Sequence, residues 1–384
     1  MISQFSFPNR IVFGAGSLAR LSDLLREHNA KRVLLVTDKG LVDAGLADRV
    51  QNATSDAADI ILFDEVEPNP TESCVDRAAE ALKSEGCDLV IGLGGGSAMD
   101  AAKAAALREH HHAPFESYEI QIGGDQNMTE SVSPIIAIPT TAGTGSEVGR
   151  SSVVTLKDGN RKAVICGPKL LPTVALCDPE LTVGLPPHIT AATGMDALTH
   201  NIEAYLSNFY HPICDAIALG GVKLVAQNLE TAVKEGANIE ARSNMMLASS
   251  MGAIAFQKDL GAAHSMAHPL STVAGVPHGL ANAIVLPHVL AFNKPTSARR
   301  LGDIAQSMGC MVEGQQEDVR AEAAIDAVSG LAARIDIPKT LSAVGVSEQQ
   351  IPEMVSQAIE DPNHATNPRA CTAADFESLY RDAM

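Results

Sequence analysis

Short apolar runs alternate with amphipathic stretches in the first half of the chain, and the alternation stops near residue 183. Each run ends in polar or glycine residues, which is typical of buried parallel strands. The runs are VLLVTD (33–38), DIILFD (59–64), DLVIGLGGGS (88–97) and SPIIAIPTT (133–141). Amphipathic stretches, typical of helices, occupy 41–53, 71–85 and 97–109. The pattern predicts an α/β fold with a doubly wound parallel sheet.

From residue 188 onward the segments are rich in Ala, Leu, Met and Glu at helical spacing. The prolines of GLPP (184–187) end one element before the next begins. Because 384 residues exceed one typical core, we expect two domains, an α/β domain over 1–183 and an all-helical domain over 184–384. Within the first domain, SSVVTLKDGNRKAVICG (151–167) predicts a hairpin that turns at Asp158-Gly159.

The composition argues against nucleic-acid and membrane partners. The net charge is −18, and an acidic chain repels phosphate backbones and anionic membranes. Aromatic residues, which stack on unpaired bases, make up only 3% of the chain, and no apolar run reaches membrane-spanning length. Seven dispersed cysteines without a C-x-x-C pair favour reduced thiols in a cytoplasmic protein.

Metal-ligating residues occur in two pairs, each spaced by four residues. Asp196 and His200 form one pair in ATGMDALTHNIE, His264 and His268 form the other in GAAHSMAHPLS, and His278 follows in GVPHGLAN. Residues four apart on a helix point the same way. A lone histidine more often satisfies a local hydrogen bond, but three within 15 residues, beside an Asp-x-x-x-His, favour a metal site. Carboxylate and imidazole together suit a divalent first-row metal, Fe(II) or Zn(II).

A glycine-rich turn follows one predicted strand and opens a predicted helix. Gly94, Gly95 and Gly96 let backbone N–H groups approach a diphosphate, and the helix that begins at Ser97 adds partial positive charge. The alternative is a tight turn without a ligand. Asp38 ends the first strand, where a carboxylate can hydrogen-bond ribose hydroxyls or cap the next helix. Together these residues predict a dinucleotide site.

A second polar loop, PTTAGTGSEVGR (139–150), ends the last predicted strand. Loops at the carboxyl ends of parallel strands are where ligands bind in such sheets. The hydroxyl groups that can donate to cofactor oxygens belong to Thr140, Thr141, Thr144 and Ser146.

Two long blocks make the chain similar to the iron-containing (group III) alcohol dehydrogenase family. They are DPELTVGLPPHITAATGMDALTHNIE (178–203) and HSMAHPLSTVAGVPHGLANAIVLPH (264–288). The resemblance covers essentially the whole chain. It implies a dehydroquinate synthase-like fold, with a dinucleotide-binding domain followed by a metal-binding one. The metal ligands that it implies, with iron the favoured metal, are Asp196, His200, His264 and His278.

The resemblance also implies residues that bind the cofactor. The pyrophosphate loop GGGSxxDxxK includes Asp100 and Lys103, and the position of Asp38 selects NAD over NADP. The threonine loop holds the nicotinamide half, with Lys162 and Leu181 beside it, and Asn69 lies near the cofactor as well.

One histidine and three weaker candidates remain for the substrate. The resemblance makes His268 a proton relay beside the alcohol oxygen, and the alternative is a histidine that only orients a metal ligand. His364 falls on a loop that approaches the site in the family. Arg150 and Lys258 could hold an anionic substrate tail, or could pair with Glu147 and Asp259 instead.

These features predict an NAD- and metal-dependent oxidoreductase that interconverts a primary alcohol and its aldehyde. The segments containing Arg150 and Lys258 resemble those of members that act on short ω-hydroxy acids such as 4-hydroxybutyrate. The alternatives are a lyase of the dehydroquinate synthase type and a nucleotide-binding scaffold without catalysis. The complete ligand set argues against both. The resemblance also implies a homo-oligomer.

Overall fold

The computed structural model describes residues 3–6, 9–54, 57–157 and 161–384. The chain forms two compact units. The α/β unit comprises Phe7–Thr141 and Gly145–Gly184, and the helical unit comprises Met1–Ser6, Ala142–Thr144 and Leu185–Met384. The threonine loop is therefore shared, because its middle three residues group with the helical unit.

A six-stranded sheet forms the centre of the α/β unit. Its strands, all paired in parallel, have the spatial order β1-β8-β5-β4-β2-β3. They are β1 (Arg10–Phe13), β2 (Arg32–Val36), β3 (Asp59–Phe63), β4 (Leu89–Gly94), β5 (Ile135–Pro139) and β8 (Val174–Cys177). The accompanying helices are α1 (Leu21–Glu27), α2 (Lys39–Asp43), α3 (Leu46–Thr54), α4 (Glu72–Ser84) and α5 (Gly96–Arg108).

The sequence pattern predicts the middle of this sheet and misses part of it. The four predicted strands correspond to β2, β3, β4 and β5, and the parallel sheet is confirmed. β4 and β5 are buried along their whole length, as continuous apolar runs should be. The four-residue strands β1 and β8, which pair with each other, were not expected from the pattern.

An antiparallel pair stands apart from the main sheet. β6 (Ser151–Thr155) pairs with β7 (Lys162–Cys166), with Val153 opposite Val164. These two strands fit the predicted hairpin. Its expected turn at Asp158-Gly159 lies outside the described residues.

The helical unit is built around one extensive apolar core. Its helices are α6 (Pro187–Leu206), α7 (Pro212–Lys234), α8 (Ile239–Ala255), α9 (Ala262–Ala274), α10 (His278–Ser307), α11 (Glu317–Arg334), α12 (Ile351–Glu360) and α13 (Ala373–Asp382). From Met195 to Leu206, every residue of α6 is buried, so this helix lies at the centre of the unit. Among the helices that the structure describes, none is both long and apolar enough to span a membrane.

Candidate active-site residues

The central helix α6 presents acidic and imidazole groups along one face. Asp196, His200 and Glu203 follow one another at helical spacing, and each is at most 5% exposed. His200 Nδ1 lies 3.3 Å from the carbonyl oxygen of Gly143. Burial lowers the pKa of His200 to about 4, against the opposing charge of Asp196. The ring is therefore neutral at physiological pH, which is the form that binds metals.

Three of the four predicted metal ligands form a compact cluster. Asp196, His200 and His264 each offer one ligand atom, and these atoms all lie within 4.8 Å of one another. The fourth, His278, contacts this cluster through Asp196, since its Nε2 lies 3.5 Å from Asp196 Oδ1. The helices α6, α9 and α10 thus bring the residues that the sequence singles out to one place.

Asn282 also contacts this cluster, although it belongs to neither of the pairs predicted from sequence. Its Nδ2 donates to Asp196 Oδ1 at 2.8 Å and lies 3.2 Å from His264 Nε2 and 3.3 Å from His278 Nε2. Asn282 is four residues after His278 on α10, so both face the same way. The spacing rule that picked out the histidine pairs could have found it.

Glu203 is a second residue that the sequence analysis missed. Its Oε2 lies 2.6 Å from His264 Nδ1, and its Oε1 accepts the backbone N–H of Ala263 at 2.7 Å. Because an ionised carboxylate only accepts, His264 Nδ1 carries a proton and Nε2 is the nitrogen turned to Asp196. Burial opposes charge on His264, but Glu203 and Asp196 together raise its pKa.

His268 lies beside the cluster and has a carboxylate partner of its own. Its Nδ1 is 2.6 Å from Asp361 Oδ2, and its ring stacks on that of His278 with centroids 5.3 Å apart. Burial alone would raise the pKa of Asp361, but the charge and hydrogen bond of His268, with two further donors, hold it well below its usual range. Asp361 is therefore ionised at neutral pH.

The glycine turn has the close packing that a phosphate loop requires. Gly94 has φ +148°, and a Cβ there would come within 2.7 Å of Ala98 Cβ. Gly95 is the N-cap of α5 and offers no side chain to its first N–H groups. A Cβ on Gly94 would also lie 3.9 Å from Asp38 Oδ2, so the carboxylate borders this turn. Asp38 caps α2 by accepting from the backbone of Leu41 at 3.1 Å.

Asn69 and Ser97 are brought together in the α/β unit. The backbone N–H of Asn69 donates to Ser97 Oγ at 3.3 Å, and Asn69 has φ +57°, which asparagine tolerates better than most residues. The carbonyl of Asn69 accepts from Thr155 Oγ1 at 3.3 Å. The hairpin strand β6 therefore fixes the position of Asn69 next to the glycine turn.

Asp100 and Lys103 contact the C-terminal part of the threonine loop. Lys103 is fully buried, and its Nζ donates to Ser146 Oγ at 2.6 Å and to the carbonyls of Gly149 and Ser151 at 3.0 and 2.9 Å. Asp100 Oδ1 accepts from the same Ser146 hydroxyl at 2.6 Å. The observed contacts of these two side chains are with the loop and with the first residues of β6, where Asp100 Oδ2 accepts from the backbone of Val153 at 2.9 Å. A direct contact of Asp100 with a cofactor stays a prediction.

The other predicted cofactor residues lie at separate points. Thr140 is buried and its backbone N–H donates to the carbonyl of Gly94 at 3.0 Å, while Thr141 Oγ1 would lie 3.3 Å from a Cβ on Gly95. Leu181 is buried in the apolar core of the sheet. The remaining two are Lys162, which starts β7, and Thr144, which groups with the helical unit.

The residues predicted to bind substrate differ in their exposure and in the partners that they already contact. Arg150 is exposed. Lys258 is fully buried, and its Nζ donates to Asp215 Oδ1 at 2.5 Å and to the carbonyl of Tyr205 at 3.2 Å. Its partner is thus Asp215 rather than the neighbouring Asp259. His364 Nε2 lies 3.0 Å from the carbonyl of Ile359. For each of them a role with substrate stays a prediction.

Comparison with known proteins identifies the family. The profile of iron-containing alcohol dehydrogenase matches residues 8–179, and that of the C-terminal part of the Fe-containing alcohol dehydrogenase family matches residues 190–384. The chain belongs to the iron-containing alcohol dehydrogenase family. The expected family and type of enzyme are confirmed, and the lyase and scaffold alternatives lose their support.

Relatives of the iron-containing alcohol dehydrogenase family match along almost the full chain. A 1,3-propanediol dehydrogenase of Citrobacter freundii is 39% identical over 98% of this chain and 97% of its own. A 4-hydroxybutyrate dehydrogenase of Cupriavidus necator is 41% identical over 97% of each. The solved structure of a 1,3-propanediol oxidoreductase is 37% identical and covers 100% of both chains with a TM-score of 0.96. The predicted fold class is confirmed.

Proposed function

We propose that the protein is an NAD-dependent, divalent-metal-dependent oxidoreductase that interconverts a primary alcohol and its aldehyde, with Fe(II) as the metal. The observation that carries the proposal is the buried cluster of Asp196, His200 and His264, with His278 in contact through Asp196. A divalent cation bound there supplies Lewis-acid polarisation of the alcohol or carbonyl oxygen.

The donor set fits a cation. His264 Nε2 lies 3.8 Å from Asp196 Oδ1, and in the neutral ring, with the proton on Nδ1, two groups with lone pairs face each other there. The amide of Asn282 has two hydrogens but lies near three such groups, on Asp196, His264 and His278. The carboxylates of Asp196 and Glu203 flank one imidazole, and together they favour positive charge at this point.

The metal ligands have distinct tasks in this proposal. Asp196 and His200, one turn apart on the buried helix α6, fix one side of the site with little freedom to move. His264 and His278 supply the other side from α9 and α10. Glu203 orients His264 through Nδ1, as carboxylates do for many metal-binding histidines.

The α/β unit contributes most of the residues that would hold NAD, which supplies the hydride acceptor for alcohol oxidation. The glycine turn leaves room for a diphosphate against the N-terminus of α5. Asp38 borders this turn and would hydrogen-bond the ribose hydroxyls. The other residues proposed for the cofactor are Asn69, Ser97, Asp100, Thr140, Thr141, Thr144, Ser146, Lys162 and Leu181.

His268 is the residue proposed to move the proton. Its ring is about a quarter exposed and stacks on His278, and Asp361 occupies Nδ1, so Nε2 is the nitrogen that can meet a substrate hydroxyl. Proton transfer through a positioned imidazole is worth about 10²- to 10⁴-fold in rate.

A short ω-hydroxy acid is the second candidate substrate. The relative that is 41% identical is named for 4-hydroxybutyrate, although another at 39% is named for the neutral 1,3-propanediol. The exposed guanidinium of Arg150 could bind a carboxylate tail. Lys258 supports this candidate less, because its ammonium is already bound by Asp215.

Two further proposals concern the setting of the enzyme. The seven cysteines, all within the described ranges, form no disulfide, which fits a reducing compartment, and we place the protein in the cytoplasm. We also expect a homo-oligomer, which light scattering of the purified protein would test.

A panel of primary alcohols and aldehydes tests the proposed function. The purified chain is reconstituted with Fe(II) or with Zn(II), and NADH absorbance is followed in both directions. We expect turnover with primary alcohols and NAD, and none after chelation of the metal. No change in NADH absorbance with any alcohol or aldehyde, in protein shown to contain metal, would contradict the proposal.

A further inference from the structure

A carboxylate from the end of another helix meets His268. Asp361 follows α12 directly and caps the short helical turn Pro362–Thr366. Its side chain is only 12% exposed and makes three contacts. Oδ1 accepts from Ser265 Oγ at 2.8 Å and from the backbone N–H of Asn363 at 2.9 Å, whereas Oδ2 lies 2.6 Å from His268 Nδ1.

The contacts of Asp361 determine which ring nitrogen of His268 is protonated. An ionised carboxylate can only accept, so Nδ1 must carry the hydrogen that occupies the 2.6 Å contact. In the neutral ring, Nε2 then keeps its lone pair. Stacking on His278 restricts rotation of the ring, so the orientation of Nε2 is held as well.

We propose that Asp361 is a positioning residue of the reaction: it holds His268 in the tautomer whose Nε2 can accept the proton of the alcohol. This inference rests on the proposed function of His268. In alcohol oxidation the O–H bond breaks and an N–H bond forms at Nε2. The carbon loses hydride to NAD, and the aldehyde is the product, so NAD is reduced as the alcohol is oxidised.

The neighbours of Asp361 make Asp361→Asn a sharp test. The backbone N–H of Asn363 can only donate, so the amide oxygen of the variant must stay on that side. The amide nitrogen then faces His268 Nδ1 and donates to it. This reverses the tautomer and places the proton on Nε2, with almost no change in side-chain volume.

Two comparison variants separate this effect from general damage. Asp361→Glu keeps the charge and the accepting oxygens, and we expect it to recover at least about a tenth of the wild-type kcat. Asp178→Asn is the matched control, because Asp178 is fully buried and accepts from the backbone of Gly16, Leu18 and Glu180 in the α/β unit. Asp178→Asn thus removes a comparable buried carboxylate whose contacts do not include His268.

The tautomer itself is measured on the zinc-loaded full chain by long-range ¹H–¹⁵N correlation of the histidine ring nitrogens. The wild type should show a protonated Nδ1 for His268, and Asp361→Asn a protonated Nε2. The signal is assigned by its loss in His268→Gln. An unprotonated Nδ1 in the wild type overturns the proposal, and this readout does not require that any alcohol is turned over.

Kinetics complete the experiment. Asp361→Asn should lower kcat by about 10²- to 10⁴-fold, while its metal content and the KM for alcohol stay within about twofold of the wild type. Asp178→Asn should keep its kcat per folded molecule. An unchanged kcat in Asp361→Asn, or a loss that parallels loss of metal, overturns the proposal. Failure of the wild type to turn over alcohols would instead contradict the proposed function.

Discussion

His264 Nδ1 lies 2.6 Å from Glu203 Oε2, and the other oxygen of that carboxylate accepts the backbone N–H of Ala263. Glu203 therefore fixes both the ring of His264 and the first turn of α9. All of these groups are buried. The arrangement leaves His264 Nε2 as the nitrogen that can bind a metal.

Glu203→Gln should weaken metal binding. The variant loses a negative charge beside the ring, and its amide can turn to donate to Nδ1, which would place the proton on Nε2. We expect the affinity to fall by about 10- to 100-fold. Competition with a chelating dye measures it. The control is Glu119→Gln, a buried carboxylate in the α/β unit whose partner is Arg161. Equal affinities in the wild type and Glu203→Gln would show that this contact does not tune the site.

Alanine variants of the proposed ligands and of His268 should differ in the amount of metal that they bind. His264→Ala and His278→Ala remove a donor, so both should purify with almost no metal and show no turnover. His268→Ala should keep most of its metal and lose rate, because its Nδ1 is bound to Asp361. Elemental analysis after reconstitution decides between them. A metal-free His268 variant beside a loaded His264 variant would reverse the assignment.

The carboxylate of Asp38 should make the enzyme prefer NAD to NADP. A 2′-phosphate near this side chain would meet a like charge, which costs about 1 kcal/mol or more at short range. Asp38→Gly should relax the preference, but it also removes the cap of α2. Asp38→Asn is the sharper variant, since asparagine caps well without the charge. Steady-state kcat/KM with each cofactor measures the preference, and equal values in the wild type would contradict the prediction.

Removing the buried ammonium of Lys103 should destabilise the α/β unit. Lys103→Met preserves most of the volume but leaves Ser146 and the carbonyls of Gly149 and Ser151 without their donor. Asp100, 3.9 Å from Nζ, loses its nearest cation. Loss of one partner from a buried pair costs about 3–5 kcal/mol. Chemical denaturation measures the free energy of unfolding. The control, Lys157→Met at an exposed lysine, should change it by less than about 1 kcal/mol.

The sequence predicts features that depend on neighbouring residues better than contacts between residues that are far apart in the chain. Strands β2 to β5 follow from apolar runs bounded by helices, but β1 and β8 have only four residues each, too few for a periodic signal. Spacing by four finds the histidine pairs and could have found Asn282. Helical spacing also places Glu203 on the face of Asp196 and His200, but it cannot pair Glu203 with His264 or Asp361 with His268, since these partners lie 61 and 93 residues apart. Such partners are chosen by tertiary packing.

The partner of Lys258 illustrates the same limit. From sequence, the alternative to a substrate role is a pair with the adjacent Asp259. The structure pairs Lys258 with Asp215, 43 residues away on α7. The sequence thus identifies the charged side chain of Lys258 but not its partner. Because that side chain is buried against Asp215, its ammonium is already bound and cannot be assumed to bind substrate.

The substrate prediction compares an acid with a neutral alcohol of the same length, 4-hydroxybutyrate with 1-butanol. If Arg150 binds the carboxylate tail, the acid should have the higher kcat/KM. Arg150→Ala should then raise its KM by about 10- to 100-fold, the usual worth of a charge-assisted hydrogen bond. The KM for 1-butanol should change by less than about twofold, because that substrate has no charge for Arg150 to meet. Arg150→Lys, which keeps the charge without the planar fork, should fall between them.

Lys258→Met provides the comparison within the same experiment. Because its ammonium is buried and bound by Asp215, we expect a lower free energy of unfolding, by less than the about 3–5 kcal/mol of a pair that loses its only partner, since Arg300 stays 2.8 Å from Asp215 Oδ1. A rise in KM confined to the acid in this variant would restore Lys258 as a substrate residue. If 1-butanol is the better substrate throughout, or if Arg150→Ala affects both substrates equally, no anion pocket is present. The enzyme is then a general primary-alcohol dehydrogenase, and the exposed guanidinium of Arg150 has no part in choosing its substrate.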